Sequence, residues 1–215
     1  MTEFSCFIDE GNNYMKFAII SGSTRQNNPQ SAKVANYINQ FVNGMNIDSH
    51  LLDLSKIVIK GWDETFWSDH AAFDPGWTKI SQQLHQCDAI IIVAPEWNGM
   101  LPPALVNVMH LAVKGEFANK PMLIVSVSAG GNGVYPIVHL RESVKNSFAT
   151  IIPHHVIIRD VNNVLNDYNT VSSESDRSIR ERLHYSLKVL EVYAENFIKI
   201  RNSDVIKNIP YSYGM

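Results

Sequence analysis

Apolar residues gather along this chain in short continuous runs separated by amphipathic segments. Residues 17–20, 88–94, 121–127 and 151–158 are such runs, and 47–54 is a weaker one with Ile47, Leu51 and Leu54 apolar. A run without alternation suits a strand covered on both faces, as in a parallel sheet. Between the runs the period changes. Val34, Ile38, Phe41 and Val42 fall on one helical face after Ser31, a plausible N-cap, and Gly44 ends that helix. Residues 77–86, 102–114 and 138–148 are predicted helices, the second opened by Pro102-Pro103 and carrying Leu105, Met109 and Val113 four apart. The longest periodic segment, 175–201, has an apolar stripe of Ile179, Leu183, Leu187, Leu190, Ala194 and Phe197. Five strands alternating with five helices predict an α/β fold, a parallel sheet wrapped on both faces by right-handed crossovers. Five strands permit the doubly wound order 2-1-3-4-5, whose switch point lies between strands one and three.

The chain of 215 residues suits one domain. Residues 15–201 are expected to form it, with an aperiodic N-terminal extension at 1–14 and a C-terminal tail at 202–215. The irregular stretch 55–76 holds Trp62, Phe66, Trp67 and Phe73, with Trp77 just past it. Those aromatics either cover a flat ligand or a partner subunit, or form a satellite core under a long loop. A hydrophobic content of 45% is enough for a sizeable core, and a net charge of -3 gives no argument for nucleic acid. No apolar run is long enough to span a bilayer, and no secretory pattern opens the chain. With only Cys6 and Cys87, a disulfide framework is not expected and the expected compartment is the cytoplasm.

Three loops follow strands one, three and four, where open α/β sheets bind ligands. The first is Gly22-Ser23-Thr24-Arg25, with Ser31 opening the helix beyond it. Its hydroxyls, helix-terminal amides and guanidinium suit a phosphate, and equally describe an ordinary turn with a capping serine. The second runs from Pro95 to Pro102: Pro95 stops the ladder, Asn98-Gly99 supplies a tight turn, and the amides between have no ladder partner. Those amides are donors for a planar polar ligand. Glu96 there is a general acid or a surface or interface carboxylate. The third, Ser128-Ala129-Gly130-Gly131-Asn132-Gly133, lets a flat ligand approach closely, or is a flexible turn. No G-x-x-x-x-G-K-[ST] or G-x-G-x-x-G occurs, which argues against a nucleoside triphosphate or a tightly held dinucleotide. No G-x-S-x-G elbow occurs, and His85, His154 and His155 lack metal-ligand spacing, so no metal site is expected.

With these loops in view, the chain resembles the NADPH-dependent FMN reductase family of flavodoxin-like flavoproteins, which includes FMN, quinone and azo reductases. Residues 17–25 are similar to its opening strand and Gly-Ser-x-Arg loop. Residues 88–107 are similar to its long Asp-Ala-Ile-Ile-x-x-x-Pro-Glu-Tyr-Asn-Gly-x-x-Pro-x-x-Leu-x-Asn signature, with Trp97 where tyrosine is usual. Residues 128–141 resemble its glycine-rich loop and following helix, with Gly133-Val134 in place of Gly-Gly. The first loop is a residue longer than the family's, which sets Gln30 beside Ser31 as the phosphate-side residue.

The resemblance implies a flavodoxin-like sandwich that binds FMN and uses NAD(P)H as co-substrate. It implies a phosphate near Ser23, Arg25 and Ser31, a ring on Pro95, Glu96, Trp97, Asn98 and Gly99, and a ring edge near Ser128, Gly130 and Gly131. The implied activity carries hydride from the nicotinamide to FMN and on to free flavin, a quinone, an azo compound or a metal ion. The flavin holds the chemistry, so no side chain is expected to act as acid or base. A homodimer or homotetramer is expected. The alternatives are a flavodoxin-like electron carrier without nicotinamide activity, which a net charge of -3 fits poorly, and a flavin-free interaction domain.

Overall fold

The computed structural model describes residues 15–68, 73–144, 147–208 and 210. Five strands, β1 (Lys16–Ser21), β2 (Asp48–Asp53), β3 (Ala89–Pro95), β4 (Pro121–Val127) and β5 (Thr150–Ile158), form one sheet in the order β2-β1-β3-β4-β5. All four pairings are parallel. Every residue of β3 and of β4 is buried, because each has strands on both sides and helices on both faces. This is the flavodoxin-like doubly wound arrangement.

Alternation along the strands sorts the core into two layers. Phe17, Ile19, Ile91, Val93, Leu123 and Val125 face α1 (Gln30–Gly44) and a later long helix, packing on Val34, Ile38, Leu183, Leu187 and Leu190. Ala18, Ile20, Ile90, Ile92 and Ile124 face the opposite way. That layer holds α2 (Thr65–Ser68), α3 (Pro75–His85), α4 (Pro103–Leu111) and α5 (Tyr135–Ser143), through Phe66, Trp77, Leu84, Leu105 and Leu140. Each such side chain contributes about 1.5–3 kcal/mol by leaving water. The long helix is α6 (Glu174–Arg201), and a single turn, α7 (Asp204–Lys207), follows it inside the expected tail.

Several expectations change. Ser31 is not the N-cap of α1. Pro29, extended at φ -77° and ψ 91°, holds that position, and its carbonyl takes the first helical bond from Lys33 N at 3.0 Å. Ser31 lies instead in the first turn, with its side chain buried. Helix α5 starts at Tyr135 rather than 138, because Pro136 sits in the first turn, where its missing N–H costs nothing. It ends at Ser143 rather than 148. The aromatics of the irregular stretch divide. Phe66, Phe73 and Trp77 are core residues, whereas Trp62 and Trp67 are 41% and 57% exposed. Asn107 of α4 pins the stretch down, accepting from Trp62 N at 2.7 Å and donating to Lys60 O at 2.9 Å. The expected extension at 1–14 lies outside the described residues.

A buried ion pair fixes the polar connection between β5 and α6. Arg180 Nε meets Asp176 Oδ1 at 3.0 Å, with side chains 7% and 1% exposed. Arg180 also donates to the carbonyls of Asp167, Tyr168 and Thr170, and Asp176 accepts from the amides of Leu165 and Ser172. Lys33 of α1 gives its three protons to Val161 O, Val164 O and Asn166 Oδ1. A loop with no ladder of its own thus has its backbone satisfied by side chains.

Burial raises the pKa of Asp176, but the hydrogen bonds from Arg180, Leu165 and Ser172 outweigh it and hold the group at about 2 against an ordinary 3.8. A depressed folded-state pKa contributes stability that is present above the unfolded value and lost as the pH falls through the folded one. Asp176→Ala, which strands Arg180, is expected to cost about 3–5 kcal/mol at pH 7. Denaturant titrations of both proteins should show that gap narrowing as the pH falls from 3.8 toward about 2.

Candidate functional site

At the carboxyl edge of the sheet each loop begins by extending the ladder one residue further. Leu54 N donates to Ser21 O at 3.1 Å, Gly22 N to Val93 O at 2.9 Å, Glu96 N to Val127 O at 3.0 Å and Ser128 N to Ile158 O at 2.9 Å. For three of the four the first loop amide satisfies the last carbonyl of the next strand, while Gly22 N reaches Val93 O, two residues before the end of β3. The loops after β1, β3 and β4 are held side by side in this way, at the switch point between β1 and β3.

The β1 loop turns around Ser23, which is buried and accepts from Arg25 N through Oγ at 3.2 Å. Thr24 and Arg25 are exposed. The close approach of α4 requires glycine at position 22, where a Cβ would lie 2.8 Å from Leu105 Cδ2 and 3.1 Å from Val93 O. At the start of α1 the amides of Gln30, Ser31 and Ala32 have no protein acceptor among the described residues, because the first helical bond is that of Lys33. Gln30 Oε1 is buried without a partner, while its Nε2 donates to Asn28 Oδ1 at 2.7 Å. Three amides without an acceptor at the positive end of a helix dipole, following a loop that carries a hydroxyl and a guanidinium, have the chemistry to take an anion.

The β3 loop is a tight hairpin. Trp97 N donates to Met100 O at 3.0 Å and Met100 N to Trp97 O at 2.9 Å, with Asn98 at φ 52° and Gly99 at φ 71°. Positive φ at both central residues is a type I′ turn, which Asn-Gly favours. The stretch consequently offers fewer donors than expected. The amides of Glu96, Trp97 and Met100 are committed to protein carbonyls, and those of Asn98 and Gly99 have no partner among the described residues. Pro95 is buried at the end of β3, Trp97 is half-buried and Asn98 exposed.

In the β4 loop, Ser128 Oγ accepts from Gly130 N at 3.3 Å. The glycines here differ in kind. At Gly133, φ is 110° and a Cβ would sit 2.6 Å from Ile157 Cγ2, so the protein itself demands glycine. At Gly130 and Gly131 φ is not positive and a Cβ would meet nothing within 4 Å. Neither backbone nor packing explains glycine at those two positions, and both line open space.

The candidate residues thus lie on or beside adjoining loops: Ser23 and Arg25 after β1 with Ser31 in the first turn of α1, Pro95 at the end of β3 with Glu96 to Gly99 after it, and Ser128, Gly130 and Gly131 after β4. Two sets of contacts to the β4 loop were not legible in the sequence. Glu96 Oε2 accepts from Gly133 N at 2.7 Å and from Tyr135 N at 3.4 Å. Arg159, just after β5, donates through Nε to Gly131 O at 2.6 Å and Asn132 O at 3.0 Å. Both partners are remote in sequence and follow no periodic pattern. A cleft of about 620 Å³ adjoins the hairpin, lined by Trp62, Trp97, Asn98, Met100, Val106 and His110 among others.

The profile of the NADPH-dependent FMN reductase family matches residues 15–163. The NADPH azoreductase of Bacillus sp. (strain OY1-2) is 22% identical over 188 residues, 87% of this chain and 97% of that protein. The NAD(P)H-dependent FMN reductase of Pseudomonas aeruginosa is 26% identical over 178 residues, 81% of this chain and 92% of that protein. Among solved structures, the flavoenzyme NAD(P)H:acceptor oxidoreductase FerB from Paracoccus denitrificans superposes with a TM-score of 0.66 at 17% identity. The match covers 86% of this chain and 98% of that one.

Gly99→Val, at φ 71°, and Gly133→Ala, at φ 110° against Ile157, are each expected to cost about 1–3 kcal/mol in urea unfolding. Gly131→Ala enters open space and should stay within about 0.5 kcal/mol of wild type.

Proposed function

The chain belongs to the NADPH-dependent FMN reductase family, and from that premise we propose how it holds its cofactor and what it reduces. It is an NAD(P)H-dependent oxidoreductase with FMN as cofactor. Bound FMN supplies the redox chemistry, taking hydride from the nicotinamide and passing electrons to an acceptor. The protein's part is to bind, orient and polarise.

In this reading Ser23, Arg25 and the amides of Gln30, Ser31 and Ala32 take the phosphate. The observation that carries it is that run of three acceptor-free amides beside buried Ser23, opening directly at the switch point. Arg25 adds a charge-assisted donor. Pro95 and Trp97 floor the ring site. Asn98 and Gly99 donate to the ring's polar edge through their amides, placing donors where negative charge develops, as an oxyanion hole does. Gly130 and Gly131, bare of side chains without internal reason, leave room for the ring to lie against the backbone. Glu96 contributes no donor, since its amide is spent on Val127 O and its carboxylate accepts. No side chain is assigned as acid or base.

The acceptor in this reading is a small oxidised molecule: free flavin, a quinone, an azo compound or a metal ion. The azoreductase among the relatives is a precedent for the third of these. An electron carrier without nicotinamide activity is the competing class. Aerobic mixing with NADPH separates the two, because only the reductase consumes NADPH steadily. The flavin released on denaturation should be FMN. FAD, or no flavin after reconstitution, would sink the assignment.

Two measurements test the parts. Arg25→Ala is expected to weaken FMN by about 1.5–3 kcal/mol, roughly ten- to over a hundredfold in a fluorescence titration. An unchanged affinity would place the phosphate elsewhere. We also propose that the chain self-associates through the exposed Trp62, Trp67, Met100 and Val106. Light scattering at micromolar protein should then give a dimer or tetramer mass, and a monomer mass would refute it.

A further inference from the structure

The glycine-rich loop after β4 is loosely built where it faces the crevice. Gly130 and Gly131 have no neighbours that a Cβ would touch. From behind, the loop is tied to β5 and the residues after it, by Ser128 N to Ile158 O, Asp160 N to Gly130 O at 3.3 Å, and Arg159 Nε to the carbonyls of Gly131 and Asn132. Toward the β3 hairpin its tie is the carboxylate of Glu96. That group accepts from Gly133 N at 2.7 Å and from Tyr135 N at 3.4 Å. Tyr135 is the first residue of α5, and Val134 at its N-cap position has no side-chain cap. Glu96 therefore acts as a cap supplied from another loop, an anion at a helix N-terminus accepting two otherwise orphan donors.

We propose that Glu96 is a positioning residue for FMN. Its carboxylate fixes the spacing between the Asn98-Gly99 turn and the Gly130-Gly131 backbone, so that both meet the ring at once. Glu96 touches no reacting atom; it acts through Gly133 and Tyr135. The proposal rests on assigning those two loops to the ring. What the position needs is an acceptor oxygen at the right reach, and a negative charge of itself is not required. A glutamine side chain keeps that oxygen at the same reach, whereas an aspartate falls a methylene short of it.

The test compares Glu96→Ala, Glu96→Gln and Glu96→Asp, each shown to be folded by circular dichroism. FMN dissociation constants are measured on the deflavinated protein, and amide hydrogen exchange is followed at Gly133 and Tyr135. Glu96→Ala should weaken FMN about tenfold or more and speed exchange at both amides. Glu96→Gln should recover most of the lost affinity and protection, and Glu96→Asp should resemble alanine. The order Gln above Asp is the signature, because a purely electrostatic role predicts Asp above Gln. That reversed order, or wild-type affinity and exchange in Glu96→Ala, overturns the proposal while leaving the ring assignment standing. A wild-type protein that binds no FMN overturns the ring assignment, and this proposal with it.

Discussion

A parallel ladder cannot stop without leaving carbonyls and amides to be satisfied, and the way this sheet stops shapes its crevice. The last carbonyls of β1, β4 and β5, and that of Val93 in β3, are each taken by the first amide of the loop leaving the neighbouring strand. Four bonds of about the same length lock the loops into one row before any of them turns. What remains free is displaced outward: the opening turn of α1 and the tip of the Asn98-Gly99 hairpin. Buried donors without partners are costly, and Ser31 and Ala32 are themselves buried, so their free amides call for an acceptor that the described residues do not supply. In the proposed reading an anion and a planar polar ring take up these donors.

The glycines around this row answer to different forces. Gly22 is set by the contact of β1 with α4, Gly133 by Ile157 and a backbone at φ 110°, and Gly99 by the handedness of its turn. Gly130 and Gly131 answer to none of these. The same residue type thus serves packing, conformation and vacancy within one site, and only the last of these points outward to a ligand. That distinction exists in three dimensions alone. In the sequence, Gly130, Gly131 and Gly133 look like one flexible loop.

Much of the framework was legible because it is local. The run at Pro121–Val127 matches β4 residue for residue, the parallel sheet followed from the alternation of runs and amphipathic segments, and the observed order is the doubly wound one that five strands permit. The Asn98-Gly99 turn was legible because few residue pairs accept two positive φ values. The start of α1 was misread, since Ser31 has the chemistry of a cap while Pro29 has the required geometry. The amides of Glu96 and Trp97 looked free because their acceptors, Val127 O and Met100 O, depend on strand adjacency and on the hairpin's closure. Asp176 and Arg180 stand one turn apart on α6. They are buried because the backbone of the preceding loop wraps around them, which no periodicity records.

The balance of backbone and side chain also bears on how far such a site tolerates change. Identities of 22% and 26% to the two relatives leave most side chains different over more than four-fifths of the chain. A crevice built from helix-terminal amides, a turn tip and bare glycine backbone does not depend on most of those side chains. It depends on strand order, on the ladder's last rung, and on the few positions where the backbone demands a particular residue. Trp97 illustrates the freedom this gives. Its amide and carbonyl close the hairpin whatever the ring attached to them, so a bulky indole is accommodated where its identity matters to the neighbouring cleft rather than to the turn. Trp97 lines that cleft together with Trp62, Met100 and His110. The free amides of Asn98 and Gly99 stay where the turn has put them.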